Sequence, residues 1–347
     1  MNSKILIVIL NYNGTDYIGD CFSSLEKINY PKDYFQILVI DNASADNSLE
    51  LIKNKWPRIK IIENKENIGF AAGNNIGFDY AVQNNFDYVY LLNQDTAVEP
   101  DFLFEAIELA ETDEKIGAVQ SKLLLFQNKK INSIGNEIHF LGFGYAGGYQ
   151  MSDSEIAVKE ITYPSGAAVL IKIKALKEVG FFNEEFFAYH EDTDLGWRMW
   201  LCNFKVMLAP KSVVYHKYEF SRSIKKYYYM ERNRYLIMLQ NYKMGTLFLI
   251  LPAATLMDIA MFFYAFFGGF WKEEFRVYTY FFRKKSWDNI LKSRQDIQAK
   301  RKVKDKEVVK RFTGKIEFQD LNNPLLKYIA NPFFNAYWQI AKRIIWW

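Results

Sequence analysis

The sequence predicts an α/β fold in which a mainly parallel β-sheet is covered by helices and followed by a basic C-terminal region. Strand-like apolar runs alternate with helix-like segments over the first 92 residues, and this rhythm is typical of parallel sheets built from βαβ units. Half of the 347 residues are hydrophobic. The chain can therefore bury the core of one large domain or of two ordinary ones.

Each of four strand-like runs is followed by a polar cluster. The runs are ILIVIL at 5–10, FQILVI at 35–40, IKII at 59–62 and DYVYLL at 87–92, and the clusters are NYNG, DNASADNS, ENKENIGF and NQDT. Ligands of open α/β sheets bind beyond the carboxyl ends of the strands. The clusters therefore predict one nucleotide-sized site, although Asn, Asp and Ser also serve as turn residues and helix caps.

The net charge of +4 conceals a basic C-terminal part. Residues 272–347 carry 18 Lys or Arg against 8 Asp or Glu, whereas the rest of the chain carries 26 against 32. Basic segments rich in aromatic residues are attracted to anionic surfaces, either nucleic acid or the cytoplasmic leaflet of a membrane.

The two cysteines, Cys21 and Cys202, lie far apart without a CxxC spacing. Neither a disulfide framework nor a zinc site is indicated, and a reducing cytosol fits best. The N-terminal run MNSKILIVILNYNG has no small-residue cleavage site, so we interpret it as a strand rather than a signal peptide.

The order of five motifs resembles family 2 of the inverting glycosyltransferases. The motifs are IVILNYNG, VIDNASADNS, the N-x-G-F-A-x-G-N-N-x-G run at 67–77, NQD at 93–95 and FFAYHEDTDLGWR at 186–198. The sequence is similar to the branch of rhamnosyltransferases and galactofuranosyltransferases that build bacterial surface polysaccharides.

The resemblance covers roughly residues 4–240. It implies the GT-A fold, a Rossmann-like mixed, mainly parallel sheet with helices on both faces. Within this domain, placed at 1–240, residues 1–97 form the nucleotide-sugar half and residues 98–240 the acceptor half. Residues 241–347 are expected to form a helical region that associates with the membrane.

Three acidic residues, Glu191, Asp192 and Asp194, follow a run of aromatic residues. Crowded carboxylates beside apolar side chains raise one another's pKa, and a general base benefits from such a shift. Inverting sugar transfer is an in-line displacement that needs a base on the acceptor side. The resemblance implies that Asp192 is this base, while Glu191 and Asp194 orient it, bind acceptor hydroxyls or pair with Arg198. The alternative is an acidic first turn of a helix without a catalytic role.

The resemblance also implies a divalent metal, Mg²⁺ or Mn²⁺, that bridges the two phosphates of the donor. Asn93-Gln94-Asp95 lies where the family carries its D-x-D motif, with Asn in place of the first acid. Asp95 is the expected ligand. His216 matches a histidine that binds metal in related galactofuranosyltransferases, and its alternative role is that of an ordinary polar residue at a strand end.

Donor contacts are expected at the strand ends and in a small-residue loop after the third strand. The resemblance implies that Asp41 accepts a hydrogen bond from the ring N–H of uracil or thymine, which makes the donor a pyrimidine nucleotide sugar. The loop glycines would let ribose and diphosphate approach the backbone, or they are only turn residues. The expected donor-binding residues are Asn11, Asp41, Asn67, Gly69, Phe70, Gly73, Asn74, Asn93, Gln94 and Asp95.

Acceptor contacts are expected from two segments. The segment PSGAAVLIKIKAL at 164–176 begins with a turn, which provides Ser165 and Gly166 as wall residues, and continues into a β-like run. The acidic motif provides Asp194 and Trp197. Further on, FSRSIKKYYYMERNRY contains Arg222 and Arg232. These arginines would bind the diphosphate of the donor or of a lipid-linked acceptor, or belong to a solvated basic helix.

Residues 246–271 contain one charged residue in 26 and are long enough to cross a membrane. Pro252, Asp258 and Gly268-Gly269 interrupt this run, and a crossing would carry the basic tail to the far side, against the positive-inside rule. We therefore expect an in-plane or re-entrant segment, with the tail and the closing RIIWW on anionic lipid. A buried helix in a soluble homo-oligomer is the alternative.

Together these features predict a metal-dependent glycosyltransferase with dTDP-rhamnose as the leading donor. The expected acceptor is a glycan linked to polyprenyl diphosphate, and the expected location is the cytoplasmic face of the inner (plasma) membrane, as a peripheral or monotopic protein. A UDP-sugar donor carrying galactofuranose, glucose or N-acetylhexosamine is the alternative. The rival classes are a non-catalytic nucleotide-sugar-binding subunit and a basic-tailed nucleic-acid binder, although nucleic acid is not an expected partner.

Overall fold

The structure is a computed structural model that describes residues 3–218, 227–317 and 324–347. The chain divides into two compact units. The first consists of Met1–Asn136, Ala146–Met199 and Phe204–Tyr218, and the second consists of Glu137–Tyr145, Trp200–Asn203 and Glu219–Trp347.

A mixed sheet forms the centre of the first unit, as predicted. The strands of the chain are β1 (Ile5–Asn11), β2 (Phe35–Asp41), β3 (Lys60–Glu63), β4 (Tyr88–Leu92), β5 (Thr96–Val98), β6 (Ile116–Leu125), β7 (Ile131–Ser133), β8 (Asn136–Ile138), β9 (Gly144–Ala146), β10 (Lys159–Glu160), β11 (Ala168–Lys172) and β12 (Lys205–His216). The order across the main sheet is β10-β12-β6-β11-β4-β1-β2-β3, and β8 pairs with β9 separately.

The first four strands are mutually parallel, and the sheet becomes mixed beyond them. β1 pairs in parallel with β2 and β4, and β2 pairs in parallel with β3. β11 is antiparallel to both β4 and β6. The carboxyl ends of β1, β2 and β4 therefore share one edge, where the polar clusters meet.

Helices cover both faces of this sheet. They are α1 (Thr15–Leu25), α2 (Ser48–Lys55), α3 (Gly69–Gln83), α4 (Phe102–Ala110), α5 (Ile173–Val179) and α6 (Glu191–Leu201). Alternate isoleucines of β1 share a buried core with Phe22 of α1 and Phe102 of α4. Because successive strand residues point to opposite faces, the remaining side chains of β1 face α3.

The small-residue segment at 67–74 is largely helical, which corrects the expected loop. α3 begins at Gly69. A Cβ at Gly73 would lie 2.5 Å from the Leu10 side chain, and one at Gly77 would lie 2.5 Å from Val8. The missing side chains of these glycines therefore allow close helix–sheet packing.

Helices make up most of the described part of the second unit. They are α7 (Tyr227–Asn241), α8 (Met244–Phe267), α9 (Trp271–Phe281), α10 (Lys284–Lys300), α11 (Asp305–Val308) and α12 (Asn331–Ile344). On α7, buried Arg234 pairs with Glu231 and, at 3.1 Å, with Asp258 of α8. This ion pair links α7 to α8 within the second unit.

α8 is continuous through Pro252 and Asp258, which were expected to interrupt it. Pro252 lies on the exposed side of the helix, and Asp258 accepts hydrogen bonds from Arg234 and Tyr235. Among the described residues, α8 is the one helix that is long and apolar enough to span a membrane by length and composition.

The closing RIIWW is only partly exposed. Trp346 is 68% exposed, whereas Ile345 is buried. Trp347 Nε1 donates to Thr246 Oγ1 at 2.9 Å. Arg343 and Ile344 are also exposed, so the buried part of the segment is Ile345, with Trp347 held by its hydrogen bond to Thr246.

Candidate active site

The carboxyl ends of β1 and β2 form a buried polar cluster. Asn11 Nδ2 donates to Asp41 Oδ1 at 2.7 Å and to the hydroxyls of Ser44 and Ser48 at 3.0 and 2.9 Å. Ser44 donates its hydroxyl to Asp41 Oδ1 at 2.7 Å and its N–H to Asp41 Oδ2 at 3.1 Å. An ionised carboxylate has about four acceptor positions, so the side chain of Asp41 retains capacity for a further donor.

Asn11 carries a second acceptor in the same cluster. Its Oδ1 is buried and has no hydrogen-bond partner among the described residues. A buried polar atom without a partner carries a desolvation cost that a ligand donor would remove.

Asp46 ties the loops after β1 and β2 together. It accepts from Thr15 N and Oγ1 at 3.0 and 2.7 Å, and from Ser48 N at 3.0 Å. Burial tends to raise the pKa of Asp46, but the hydrogen bonds from Ser48 and Thr15 outweigh it and lower the pKa to about 2. Asp46 therefore stays ionised and holds the two strand ends in place.

A second amide network joins β2 to the start of α3. Asn42 Nδ2 donates to Asn67 Oδ1 at 2.8 Å, and Asn42 Oδ1 accepts from Asn64 and from the N–H of Ile68. Asn67 Oδ1 also accepts from Gly69 N at 2.9 Å. In the structure, Asn67, which is expected to bind the nucleotide-sugar donor, makes these hydrogen bonds within the turn before α3.

Asn74 and Gly73 belong to the body of α3. Asn74 Nδ2 donates to Phe70 O at 2.9 Å within the helix, and Gly73 faces Leu10 of β1. Asn74 and Gly73 therefore contact other residues of α3 and β1. Gly69 and Phe70 instead lie at the start of the helix, beside the other strand ends.

Gln94 fastens the end of β4 to the end of β1. Its Oε1 accepts from Tyr12 N at 2.9 Å and its Nε2 donates to Tyr12 O at 3.0 Å. The backbone N–H of Asn93 donates to Ala167 O at 2.9 Å. The side chain of Gln94 therefore pairs with the main chain of Tyr12. The hydrogen bond between Asn93 and Ala167 continues the pairing of β4 with β11 beyond the ends of both strands.

Asp95 and His216 are adjacent, as the proposed metal pair requires. His216 Nε2 lies 3.3 Å from Asp95 Oδ1, and His216 Nδ1 lies 2.9 Å from Asn132 Oδ1. When Nδ1–H donates to Asn132, the Nε2 atom and the carboxylate oxygen face each other as acceptors. A proton or a cation between them would satisfy both, and a divalent metal fits this donor pair.

The protein supplies few ligands to such a metal. Among the described residues, no group of three or more His, Cys, Asp or Glu side chains is placed to hold a metal ion. Asp95 and His216 would therefore need oxygen atoms from the substrate or from water to complete the coordination.

Asp192 is the accessible member of the acidic cluster at the start of α6. Its side chain is half-buried, whereas Glu191 and Asp194 are buried. Asp192 Oδ2 accepts from Gly166 N at 3.0 Å, and Oδ1 accepts from Thr193 N at 2.7 Å. Two backbone donors thus set the orientation of the carboxylate.

The environment of α6 disfavours ionisation of two of these acids. Burial raises the pKa of Glu191 well above its ordinary value, and the charge of Asp192 adds to that rise. Burial also raises the pKa of Asp192, although hydrogen bonds from Gly166 and Thr193 oppose the rise. Glu191 Oε2 is buried and has no hydrogen-bond partner among the described residues. Because the charge of Asp192 raises the pKa of Glu191, the protonation of one carboxyl affects that of the other.

Asp194 and Trp197 are structural, which corrects their expected role in acceptor binding. Asp194 is 0% exposed and Trp197 is 1% exposed. Asp194 Oδ2 accepts from Arg198 Nε at 2.7 Å, and the rest of the guanidinium donates to the carbonyls of residues 179–181. Pairing with Arg198, one of the three roles considered for Asp194, is the role observed.

Ser165 and Gly166 lie next to the acidic cluster. Ser165 N donates to Gln120 Oε1 at 2.9 Å, which fixes the turn before β11. A Cβ at Gly166 would lie 3.4 Å from the Phe70 ring and 3.7 Å from the Cβ of Asp192. Gly166 therefore connects the start of α3 with the candidate base.

Of the two arginines expected to bind a diphosphate, the structure describes one. Arg222 lies outside the described residues. Arg232 is buried in the second unit, where its guanidinium lies 5.2–5.3 Å from the ring centres of Tyr228, Tyr229 and Tyr280. In the structure, Arg232 is therefore surrounded by aromatic rings and is not part of a solvated basic helix.

Comparison with known proteins decides the family. Residues 6–180 match the model of glycosyl transferase family 2. The chain belongs to this family. A poly-β-1,6-N-acetyl-D-glucosamine synthase of Staphylococcus epidermidis is 28% identical over 211 residues, which are 60% of this chain and 48% of that protein. The chain therefore spans about half the length of the curated relatives that it matches.

Solved structures confirm the GT-A fold of this family 2 chain. TarS 1-349 of S. aureus, in complex with UDP-GlcNAc, has a TM-score of 0.51 and 14% identity, with 98% of this chain and 90% of that one covered. GalNAc-T7 with UDP, GalNAc and Mn²⁺ has a TM-score of 0.55 and 17% identity, with 66% and 47% covered. At these identities the likeness establishes the fold alone.

Sequence reasoning missed several residues of the family 2 site. Asn42, Asp46, Asn132 and Gln120 are not among the residues that the sequence predicts for this site. Asn42 and Asp46 stand in the polar cluster after β2, so their composition was a usable signal. Asn132 and Gln120 reach the site only through the packing of β6 and β7, and no local pattern marks them.

Proposed function

We propose that this family 2 chain transfers a sugar with inversion from a pyrimidine nucleotide diphosphate donor to a glycan acceptor. The observation that carries the proposal is the position of Asp192. Its carboxyl is half-buried, has a raised pKa and accepts a hydrogen bond from Gly166 N. The carbonyl of the next residue, Ala167, accepts a hydrogen bond from Asn93 N at the end of β4. A base in this position can face the reacting end of a donor bound at the strand ends.

In the proposed reaction, Asp192 accepts the proton of the acceptor hydroxyl, and the oxygen of that hydroxyl attacks the anomeric carbon. The new C–O bond forms on one face of the sugar as the bond to the diphosphate breaks on the other, which inverts the configuration. Glu191, whose buried oxygen has no partner among the described residues, is placed to bind the acceptor or to orient Asp192.

Asp95 and His216 would hold a divalent metal, Mg²⁺ or Mn²⁺. Bound there, the metal would neutralise charge on the leaving diphosphate. The facing acceptor atoms at 3.3 Å support this assignment, and GalNAc-T7, a protein of the same fold, was solved with Mn²⁺.

Asn11 and Asp41 would bind the base of the nucleotide, since both retain acceptor atoms at the end of their strands. Among pyrimidine donors we infer a UDP-N-acetylhexosamine, because the curated relatives are poly-N-acetylglucosamine synthases and TarS was solved with UDP-GlcNAc. This places one of the alternative donors ahead of dTDP-rhamnose.

The second unit would bind an anionic membrane on the cytoplasmic side, as a peripheral or monotopic region near a lipid-linked acceptor. In α8, Leu251, Ile259 and Phe263, which lie eight and then four residues apart, are exposed, while Ile250, Ala253 and Met257 are buried. One stripe of the helix thus packs within the unit, and the other presents apolar side chains outward.

The proposal is tested with the purified full chain. Thermal shift against UDP, dTDP and GDP sugars with Mn²⁺ identifies the donor, and hydrolysis of that donor distinguishes an enzyme from a binding subunit. Asp192→Asn should lower turnover about 10²- to 10⁴-fold, the usual worth of a general base, with donor affinity nearly unchanged. Asp33→Asn, an exposed aspartate, is the control. Turnover of Asp192→Asn within several-fold of wild type would reject Asp192 as the base.

A further inference from the structure

The segment that leads into α6 has an unusual backbone. Phe187, Tyr189 and His190 have positive φ values of 62°, 69° and 68°. Non-glycine residues pay on the order of 1–3 kcal/mol for such conformations, which persist only where surrounding contacts enforce them. Since this segment ends at Glu191 and Asp192, whatever holds it also sets the position of the candidate base.

The start of α3 holds this segment. Phe187 O accepts from Phe70 N at 2.6 Å and from Ala71 N at 3.1 Å, so it caps N–H groups that lack partners within the helix. Gly69 has a φ of 88°, and a Cβ there would lie 2.6 Å from both the Phe187 ring and the Phe187 carbonyl oxygen. Glycine at position 69 is therefore required for the Phe187 carbonyl to reach the helix.

Two further contacts join α3 to the same region. Asn75 exchanges hydrogen bonds with the backbone of Phe182, at 2.9 Å to its carbonyl and 3.1 Å from its N–H. At the other end, Gly166 lies between the Phe70 ring and Asp192 and donates to the carboxylate. The turn that carries Asn67 and Gly69 is thus connected to Asp192 through a short series of direct contacts.

We propose that Phe187 is a positioning residue for the transfer reaction. Its carbonyl on the start of α3 and its ring against Gly69 set the distance between the turn Asn67–Phe70 and Asp192. The inference rests on the proposed function, in which the donor binds at the strand ends beside that turn and Asp192 is the base. It adds that Phe187 acts through Asp192 and touches neither substrate.

The first test replaces Phe187 by glycine in the full chain. Glycine adopts a positive φ freely and has no ring, so the segment can relax. We expect kcat for donor turnover to fall about 10- to 100-fold, since a displacement of about 1 Å costs this much, while the Kd for UDP changes less than about three-fold. A residue that only stabilised the fold would lower Tm and leave kcat of the folded fraction unchanged. Asn85→Gly, which relieves a positive φ of 55° at an exposed site, is the control.

The second test does not depend on activity. Gly69→Ala should increase hydrogen exchange over residues 186–192, because its Cβ displaces Phe187 from the start of α3. Gly19→Ala is the matched control, since a Cβ at Gly19 meets nothing within 4 Å.

Two results would count against Phe187. Unchanged exchange in Gly69→Ala overturns the positioning role, and so does a kcat of Phe187→Gly within two-fold of wild type. Failure of the proposed function is a different result: wild-type protein that neither binds nor hydrolyses UDP sugars or dTDP sugars overturns that function and the positioning role together.

Discussion

At the scale of the residue, the chemistry of Asp192 depends on its neighbours. The side chain is one of three acids within four positions, yet the structure separates their environments. Asp194 is neutralised by Arg198, Glu191 is buried with a raised pKa, and Asp192 is partly accessible and hydrogen-bonded to backbone. Environments that differ within one cluster are how a protein assigns different roles to like residues.

Glu191 should lower stability at neutral pH. Its folded pKa lies above the ordinary value of about 4.3, so its contribution to stability is present below that pH and is lost as pH rises through the folded pKa. Glu191→Gln should therefore raise Tm at pH 7.5 by roughly 2–4 °C for each kcal/mol recovered. The gain should shrink at pH 5. Calorimetry at both pH values measures it, and an equal or lower Tm at pH 7.5 would contradict the assignment.

The proposed metal at Asp95 and His216 predicts that donor binding depends on a divalent cation. We expect EDTA to weaken UDP binding to wild type by tenfold or more, because the diphosphate then loses its cation. Asp95→Ala and His216→Ala should bind UDP weakly with or without Mn²⁺. Titration calorimetry provides the affinities, with Asp33→Ala as the control variant. UDP affinity that is insensitive to EDTA would remove the metal from the mechanism.

At the scale of the element, α3 has two functions that its glycines serve differently. Gly73 and Gly77 bring the helix close to β1, whereas Gly69 accommodates Phe187. The sequence alone groups Gly69 and Gly73 into one ligand-binding loop, because spacing cannot show which atoms fill the space beside each glycine.

Alanine at Gly73 or Gly77 should destabilise the first unit. The new Cβ would meet Leu10 or Val8 at 2.5 Å, and overpacking of this kind costs about 1–3 kcal/mol. Gly19→Ala in α1 should instead be neutral or stabilising by up to about 1 kcal/mol, since its Cβ meets open space and alanine favours helix. Urea denaturation measures all three variants, and equal stability of Gly73→Ala and Gly19→Ala would refute the packing role.

At the scale of the whole molecule, the chain combines a catalytic fold with a helical unit whose surface is unusually apolar. The exposed side chains of the second unit include Phe248, Leu251, Ile259, Phe263, Phe266, Phe267, Phe275, Phe282, Ile340 and Trp346. Exposed apolar surface of this extent marks a membrane or protein contact, and the basic composition of residues 272–347 favours an anionic partner.

Vesicle binding should therefore depend on both lipid charge and these side chains. We expect the full chain to float with vesicles containing 30% phosphatidylglycerol, and less with pure phosphatidylcholine, at about 0.1 M salt. Phe263→Asp with Phe267→Asp should abolish flotation. Phe104→Asp, an exposed phenylalanine of the first unit, should not. A soluble oligomer that binds neither type of vesicle would instead support the alternative, in which α8 is buried in a homo-oligomer.

Local pattern determined the alternating strands and helices of the first 92 residues, the polar strand ends and the acidic start of α6, because hydrophobic periodicity and side-chain chemistry are properties of neighbouring residues. Tertiary structure alone decided that β11 inserts antiparallel beside β4, that Trp197 is core, that Asp194 belongs to Arg198 and that α7 joins the second unit. These outcomes depend on which distant segments meet, since a carboxylate or an indole has the same sequence signature whether a buried guanidinium, a helix or a substrate lies beside it.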